Sequence, residues 1–181
     1  MSVRLFRIVS LILLLALMIT VFCFSAQTAD DSSSLSDGIT IKIISVIFSD
    51  FGSFSKAEQE EIINTATFSV RKLAHFSLYF AMGILSFLSV VSYKKIRLSL
   101  RFLFSYLISV LYAVSDEIHQ LFVPGRSCEL RDVFIDSLGV LTALIILFII
   151  YVSSKKIKSL IDYRLKIWEQ IMKQNLLGKR G

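Results

Sequence analysis

The sequence lacks the short motifs that mark many well-known catalytic sites. It contains no H-E-x-x-H helix of a zinc protease, no G-x-S-x-G turn of a serine hydrolase and no P-loop. Its two cysteines, Cys23 and Cys128, are too few for a disulfide framework. We interpret them as two separate thiols, with a single bridge as the alternative. These absences leave the reaction class open and exclude a small fold stabilised by many disulfides.

The sequence also lacks the polar residues that would cover a soluble domain of this length. Of its 181 residues, 55% are hydrophobic, including 15 phenylalanines, and the mean hydropathy is +0.70. Four apolar runs each approach the roughly 20 residues that a helix needs to cross a bilayer core. They cover residues 8–24, 73–92, 102–122 and 133–152. We therefore predict an all-α membrane protein, a bundle of four transmembrane helices.

The first apolar run is either a cleaved signal peptide or an uncleaved membrane anchor. Arg4 and Arg7 precede it, as basic residues do in secretory signals. However, residues 8–24 form a longer run than a typical signal core, and cleavage after Ala26 would place the bulky Phe24 at the −3 position. The sequence therefore favours an uncleaved anchor.

Basic residues are concentrated on one side of the predicted bundle. If the N-terminus is cytoplasmic, so are residues 1–7, 93–101 and 153–181, which hold 14 of the 20 Lys and Arg residues and two of the 14 acids. Because Lys and Arg are retained in the cytoplasm during insertion, both termini are predicted to be cytoplasmic. This distribution explains the net charge of +6 without a nucleic-acid partner, and the sequence has no nucleic-acid-binding motif.

Two segments lie outside the predicted spans. The outer loop, residues 25–70, opens with SAQTADDSSSLSDG, expected to be mobile, and continues with ITIKIISVIF, which could be a strand or a membrane-surface helix. Later in the loop, Ser55 and Glu58 have the spacing of a helix capping box.

The second segment, residues 153–181, follows a single membrane domain of residues 1–152. It predicts a basic amphipathic helix that lies on the inner leaflet or binds a partner protein. The apolar face of this helix comprises Ile157, Leu160, Ile161, Leu165, Trp168, Ile171 and Met172.

Polar side chains gather where three predicted spans reach the outer side of the membrane. Each span carries one polar stripe at helical spacing, and a stripe that faced lipid would leave charges unsatisfied. The stripes should therefore meet, with acids on spans three and four opposite bases on span two and in the following loop. We predict a ligand-binding pocket, and the alternative is a network that only holds the helices together. The predicted pocket residues are Lys72, His75, Tyr79, Asp116, Glu117, Gln120, Arg126, Asp132 and Asp136.

Two long stretches carry a resemblance to a known family. RKLAHFSLYFAMG and YAVSDEIHQLFVPGRSCELRDVFIDSLG, together with F-S-x-Q at residues 24–27, resemble the VanZ-like family of small bacterial membrane proteins. The resemblance implies that the nine pocket residues are the family's signature set, whereas Cys128 departs from the small residue expected there. It also implies a multi-pass protein of the bacterial cytoplasmic membrane with a link to the cell envelope. The name-giving member of that family is associated with low-level teicoplanin resistance.

Two functions remain open from the sequence. In the first, the pocket binds a membrane lipid, such as a lipid-linked cell-wall intermediate, with Arg126 and Lys72 on phosphate. In the second, an outer-leaflet enzyme acts on a lipid-linked phosphate or acyl group, with His75 as acid or base oriented by Asp132 or Asp136. The catalytic candidates are His75, Asp116, Glu117 and Asp136.

The sequence gives weaker grounds for two further hypotheses about the polar residues. Their oxygen-rich set would also suit a divalent metal ion, but no motif requires a metal or another cofactor. A proton-coupled carrier is disfavoured, because no ionisable group lies near the predicted midplane.

Overall fold

A computed structural model of the chain describes residues 2–48, 50–93 and 95–177, without the side chains of residues 167 and 169–177. Within this part the chain forms five α-helices, one short 3-10 helix at Phe51–Ser53 and no strand, which confirms the predicted all-α fold. The helices are α1 (Val3–Ser25), α2 (Ala29–Ile47), α3 (Lys56–Val91), α4 (Leu98–Gln120) and α5 (Leu130–Leu177).

Four of the helices are long and apolar enough to cross a membrane. The candidate spans are Val3–Ser25, Lys56–Val91, Leu98–Gln120 and Leu130–Lys166. Each overlaps one of the four predicted apolar runs, although the second and third runs extend one and two residues past their helices, so the prediction of four candidate spans is confirmed. The cytoplasmic location of the two termini stays a prediction.

The capping box predicted at the start of α3 is present. The Ser55 hydroxyl accepts a hydrogen bond from the Glu58 amide at 3.4 Å, and Glu58 accepts one from the Ser55 amide at 2.8 Å. The helix that begins here has 36 residues, more than the roughly 20 that cross a bilayer core. Its first turns therefore extend beyond the predicted span.

The stretch after α1 corrects the sequence prediction. Residues 29–47 form helix α2, so the expectation of a mobile loop at the Ser- and Asp-rich part is wrong. Thr28 caps the helix by accepting a hydrogen bond from the Asp31 amide at 3.3 Å, and Asp30 and Asp31 complement the positive end of the helix dipole. A tertiary hydrogen bond of 2.8 Å from Thr67 to Asp37 ties α2 to α3. The apolar stretch left open as strand or helix continues the same helix to Ile47.

Two glycines allow close approach of α3 to the first turns of α5. A side chain at Gly139 would overlap the carbonyl oxygen of Phe76, and one at Gly83 would lie 3.1 Å from the Cα of Val140. Small residues at such positions let helix backbones pack closely in membrane proteins. This packing brings the polar residues at the start of α5 against α3.

The chain divides into two compact units, residues 1–144 and residues 145–181. In the second unit the backbone is helical to Leu177, and the ammonium of Lys155 lies 4.9 Å from the centre of the Tyr151 ring. The helical conformation predicted for this segment is present, and its place on a membrane or partner stays a prediction. The side chains of Ile171 and Met172 lie outside the described part of the chain.

Candidate functional site

An ion-pair cluster joins α3 to the start of α5. Lys72 forms an ion pair with Asp132 and lies 3.7 Å from a carboxylate oxygen of Glu129. One turn along, the Nδ1 atom of His75 lies 3.5 Å from Asp136, whose side chain is fully buried. We call these five residues the ion-pair cluster. Lys72 and Asp132 form its close ion pair across the two helices, whereas neither oxygen of Asp136 accepts a hydrogen bond within the described residues.

Glu117 connects α4 to this cluster from the side. Its carboxylate accepts a hydrogen bond of 2.9 Å from the amide of Glu129, and the residue is only 1% exposed. The bond fixes the loop that leads into α5. Glu117 therefore acts on the position of the cluster through the backbone.

A cavity of about 170 Å³ lies on the other side of α3, between the end of α1, α2, α3 and α4. We call it the arginine cavity, because two of its lining residues are Arg71 and Arg126. Apolar residues such as Val21, Leu35 and Leu78 form much of the wall. Its other polar lining residues are Ser25, Gln27, Ser32, Ser36, His75, Tyr79, Asp116 and Gln120.

The two arginines of the cavity have no carboxylate partner. Arg126 donates to the carbonyl oxygen of Gln27 at 3.3 Å, and Arg71 donates to the hydroxyl of Ser33 at 3.0 Å. In the described part of the chain, neither guanidinium lies within 4 Å of a carboxylate oxygen. Burial lowers the pKa of the Arg126 guanidinium, and the positive charge of Arg71 lowers it further. An anion bound between the two would relieve this repulsion.

The acid of the cavity comes from α4. Asp116 is 4% exposed, and one of its oxygens accepts a hydrogen bond of 3.5 Å from the Tyr79 hydroxyl. Its other oxygen has no hydrogen-bond partner within the described residues. The cavity thus offers two cationic donors and one anionic acceptor, a set that matches a ligand carrying both an anion and a hydroxyl or amine.

The structure separates the nine predicted pocket residues into two groups. Five line the arginine cavity: His75, Tyr79, Asp116, Gln120 and Arg126. Four lie outside its lining, namely Lys72, Glu117, Asp132 and Asp136, and they take part in or support the ion-pair cluster. His75 belongs to both groups.

Arg71 is the main cavity residue that the sequence prediction missed. The prediction placed Lys72, His75 and Tyr79 on one stripe of span two. Arg71 lies four residues before His75 and eight before Tyr79, so it shares a stripe with them equally well. The contribution of α2 to the wall had no comparable signal, because its lining residues are ordinary serines and aliphatic residues.

The described residues offer no evident metal site. No group of three or more His, Cys, Asp and Glu side chains in this part of the chain is arranged to hold a metal ion. The hypothesis of a divalent metal ion, drawn from the sequence, therefore has no support from the positions of these side chains. Cys23 and Cys128 are both free and exposed.

A comparison with protein families now bears on this site. The family model VanZ/LLP1 matches residues 10–151, which include every residue of the arginine cavity and of the ion-pair cluster. The chain belongs to the VanZ/LLP1 family. The resemblance found in the sequence is thereby confirmed. No curated protein and no solved structure matches this VanZ/LLP1 chain.

Proposed function

We propose that this VanZ/LLP1 membrane protein binds the phosphate-bearing headgroup of a cell-envelope lipid in the arginine cavity. The observation that carries the proposal is the pair of arginines, Arg71 and Arg126, that line one cavity without a carboxylate partner in the described residues. Partly burying a cation without a carboxylate in contact is costly, and a phosphate would supply the missing contact through short, charge-assisted hydrogen bonds. Lys72, the sequence-based candidate for this role, is instead paired with Asp132.

The walls of the cavity fit the remainder of such a ligand. Asp116, Tyr79 and Gln120 offer acceptors and donors to headgroup hydroxyls or amines, while Val21, Leu35 and Leu78 suit the first methylenes of a lipid tail. The distribution of Lys and Arg predicts that this end of the bundle faces the outside of the cell, and we propose that the membrane is the bacterial cytoplasmic membrane. The proposed ligand class is therefore a lipid phosphate or diphosphate of the outer leaflet.

Binding to a polyprenyl phosphate tests the proposal. The full chain, purified in detergent, would be titrated with the lipid and followed by native mass spectrometry. Arg126→Gln should bind about tenfold more weakly, as expected when one hydrogen-bonded charge contact is lost. Arg131→Gln is the matched control, because Arg131 is exposed and does not line the cavity. Equal binding by the wild type and Arg126→Gln would refute the proposal.

Tolerance to teicoplanin is the proposed consequence for the cell. In a sensitive Gram-positive host, the wild-type protein should raise the teicoplanin concentration that stops growth, and Arg126→Gln at equal membrane level should not. Vancomycin, tested alongside, separates an effect on this drug from a general change of the envelope. Full protection by Arg126→Gln would disconnect the phenotype from the arginine cavity.

One contact favours a second candidate function, an enzyme of the outer leaflet. His75 lines the arginine cavity with its Nδ1 atom 3.5 Å from the buried Asp136, a contact longer than a formed hydrogen bond that would have to tighten for Asp136 to orient a general base. On this hypothesis, wild-type protein converts a bound lipid phosphate or acyl lipid into a product of changed mass. His75→Asn and Asp136→Asn should abolish the conversion and leave binding intact. Unchanged lipid after incubation with the wild type would remove this candidate.

A further inference from the structure

A second cavity lies at the opposite end of the first unit, where α1 begins and α3 ends. It has a volume of about 240 Å³, and its lining combines basic, aromatic and aliphatic side chains. The lining residues are Arg4, Arg7, Ile8, Leu11, Ser89 and Tyr93. None of them lines the arginine cavity, so what happens here is independent of the proposed function.

Arg7 is held in a fixed orientation at this cavity. Its Nε atom donates to the hydroxyl of Ser92 and its Nη2 atom to the carbonyl oxygen of Ser92, both at 2.8 Å. The guanidinium lies 4.1 Å from the centre of the Tyr93 ring, within cation–π range. A guanidinium has five N–H donors, so three remain for a ligand. A donor group that is already oriented loses little entropy when it binds an oxyanion.

The surrounding sequence provides no negative charge for these arginines. Residues 1–29 and 62–115 contain no Asp or Glu, and they include α1, the second half of α3 and most of α4. Arg101, in the first turn of α4, donates to the carbonyl oxygens of Val91, the last residue of α3, and of Ile96 in the turn that follows. Within the described residues Arg4 forms no hydrogen bond or ion pair. The counter-charge for Arg4 and Arg7 is therefore not supplied by these segments.

The apolar side of the cavity indicates where that counter-charge comes from. Ile8 and Leu11 line it, and both are about half exposed, at 49% and 50%, on the apolar surface of α1. α1 is itself a candidate membrane span, so this surface faces acyl chains when the helix is inserted. A cavity with two arginines at the end of a span and an apolar side open to lipid fits an amphipathic anion. A free phosphate would make no use of the apolar side.

We infer that Arg4 and Arg7 bind the phosphodiester of an anionic phospholipid, whose first acyl carbons lie against Ile8 and Leu11. Arg7 supplies the fixed donors, and Arg4 closes over the phosphate from the exposed side. By the distribution of basic residues, this lipid belongs to the leaflet opposite the one that serves the arginine cavity. The bound lipid links α1 to the turn after α3.

Lipid titration of the purified full chain tests this inference. After delipidation in detergent, the protein would be titrated with phosphatidylglycerol, with phosphatidylcholine and with phosphatidylglycerol in the presence of inorganic phosphate. All variants carry Arg126→Gln, so that binding at the arginine cavity is weakened to the same extent in each of them. Native mass spectrometry should detect preferential retention of phosphatidylglycerol. Arg4→Gln should weaken it about fivefold, the change expected for one basic residue beside an anionic headgroup.

Two further variants make the test specific. Arg7→Lys keeps the charge but loses the planar donors, and should also weaken retention. Lys56→Gln removes one exposed charge at the far end of α3 and should leave retention unchanged. If Arg7→Lys fails to fold, Arg4→Gln still decides, because Arg4 holds no described contact. Equal retention of the two lipids, no effect of Arg4→Gln, or displacement of the lipid by millimolar inorganic phosphate would each overturn the inference.

Discussion

The two sides of α3 both carry basic residues, but the surroundings of these residues differ. On the side of α5, Lys72 and His75 face Asp132 and Asp136, so that base meets acid across the helix contact. On the side of α1 and α2, Arg71 donates to a serine hydroxyl and lines a cavity with Arg126, and within the described residues neither has a carboxylate partner. Of two neighbouring basic residues of α3, Lys72 thus has an acidic partner, and Arg71 lines a cavity that a ligand could fill.

The difference separates residues that stabilise the fold from residues available to a ligand. A charge that is already paired gains little from a further partner, and breaking the pair costs stability. A charge without a partner gains much from a bound counter-ion, and its removal costs the fold little. The two sides should therefore respond differently to mutation, and the three predictions below test this contrast in order of decreasing effect.

Replacing Gly139 by alanine should have the largest effect, because it disrupts the contact between α3 and α5. The added methyl group would overlap the carbonyl oxygen of Phe76, and a backbone atom within a helix has little room to move. We expect a loss of about 3 kcal/mol in the free energy of unfolding, at the upper end of overpacking effects. Thermal unfolding in detergent measures it. Gly38→Ala is the control, since nothing lies within 4 Å of the methyl group it adds. Equal unfolding temperatures for the two variants would contradict the close approach of α3 and α5.

Replacing Lys72 by methionine should have the next largest effect. The substitution leaves Asp132, which is 9% exposed, without its cationic partner, and we expect a loss of about 2 kcal/mol. Adding Asp132→Asn should restore part of it, because the unpaired charge is then removed as well. The matched control is Lys42→Met at an exposed position of α2. A double variant less stable than Lys72→Met alone would argue against the ion pair as the stabilising contact.

Replacing Gly125 by alanine should have a moderate effect on stability and on the arginine cavity. Gly125 has a φ of +75°, and a methyl group there would lie 2.9 Å from the side chain of Ala29 at the start of α2. We expect a loss of about 1–2 kcal/mol from the backbone strain, and weaker headgroup binding because α2 forms one wall of the cavity. Gly52→Ala, where nothing lies within 4 Å, provides the control. Unchanged headgroup binding by Gly125→Ala would show that the start of α2 does not shape the cavity.

The fold was predictable because hydropathy alone defines helices that cross a bilayer. Long apolar runs admit one backbone conformation in lipid, and the capping box at Ser55 marks the start of α3 by local chemistry. Helix α2 was not predictable in the same way. Its Ser- and Asp-rich beginning has the composition of a loop, and the helix is favoured by the Thr28–Asp31 cap and by the tertiary contact of Asp37.

The sequence predicted that the polar residues lie at one level of the bundle. It did not predict that they separate into the ion-pair cluster and the arginine cavity. Spacing along α3 places Lys72 and Arg71 about 100° apart, and both lie close to the stripe of His75. Which of them meets an acid depends on the position of α5, and that depends on the close packing at Gly139 and Gly83. Such packing is a tertiary property that the spacing of polar residues does not contain.

The decisive experiment compares Arg126→Gln with Lys72→Met in ligand binding and in stability. Polyprenyl phosphate binding and thermal unfolding would be measured on the same preparations of the full chain. We predict that Arg126→Gln binds about tenfold more weakly and loses at most about 1 kcal/mol of stability, as for one hydrogen bond. Lys72→Met should lose about 2 kcal/mol while its folded fraction binds like the wild type. If both variants lose stability and binding in the same proportion, the two sides of α3 do not differ in role, and the account is wrong.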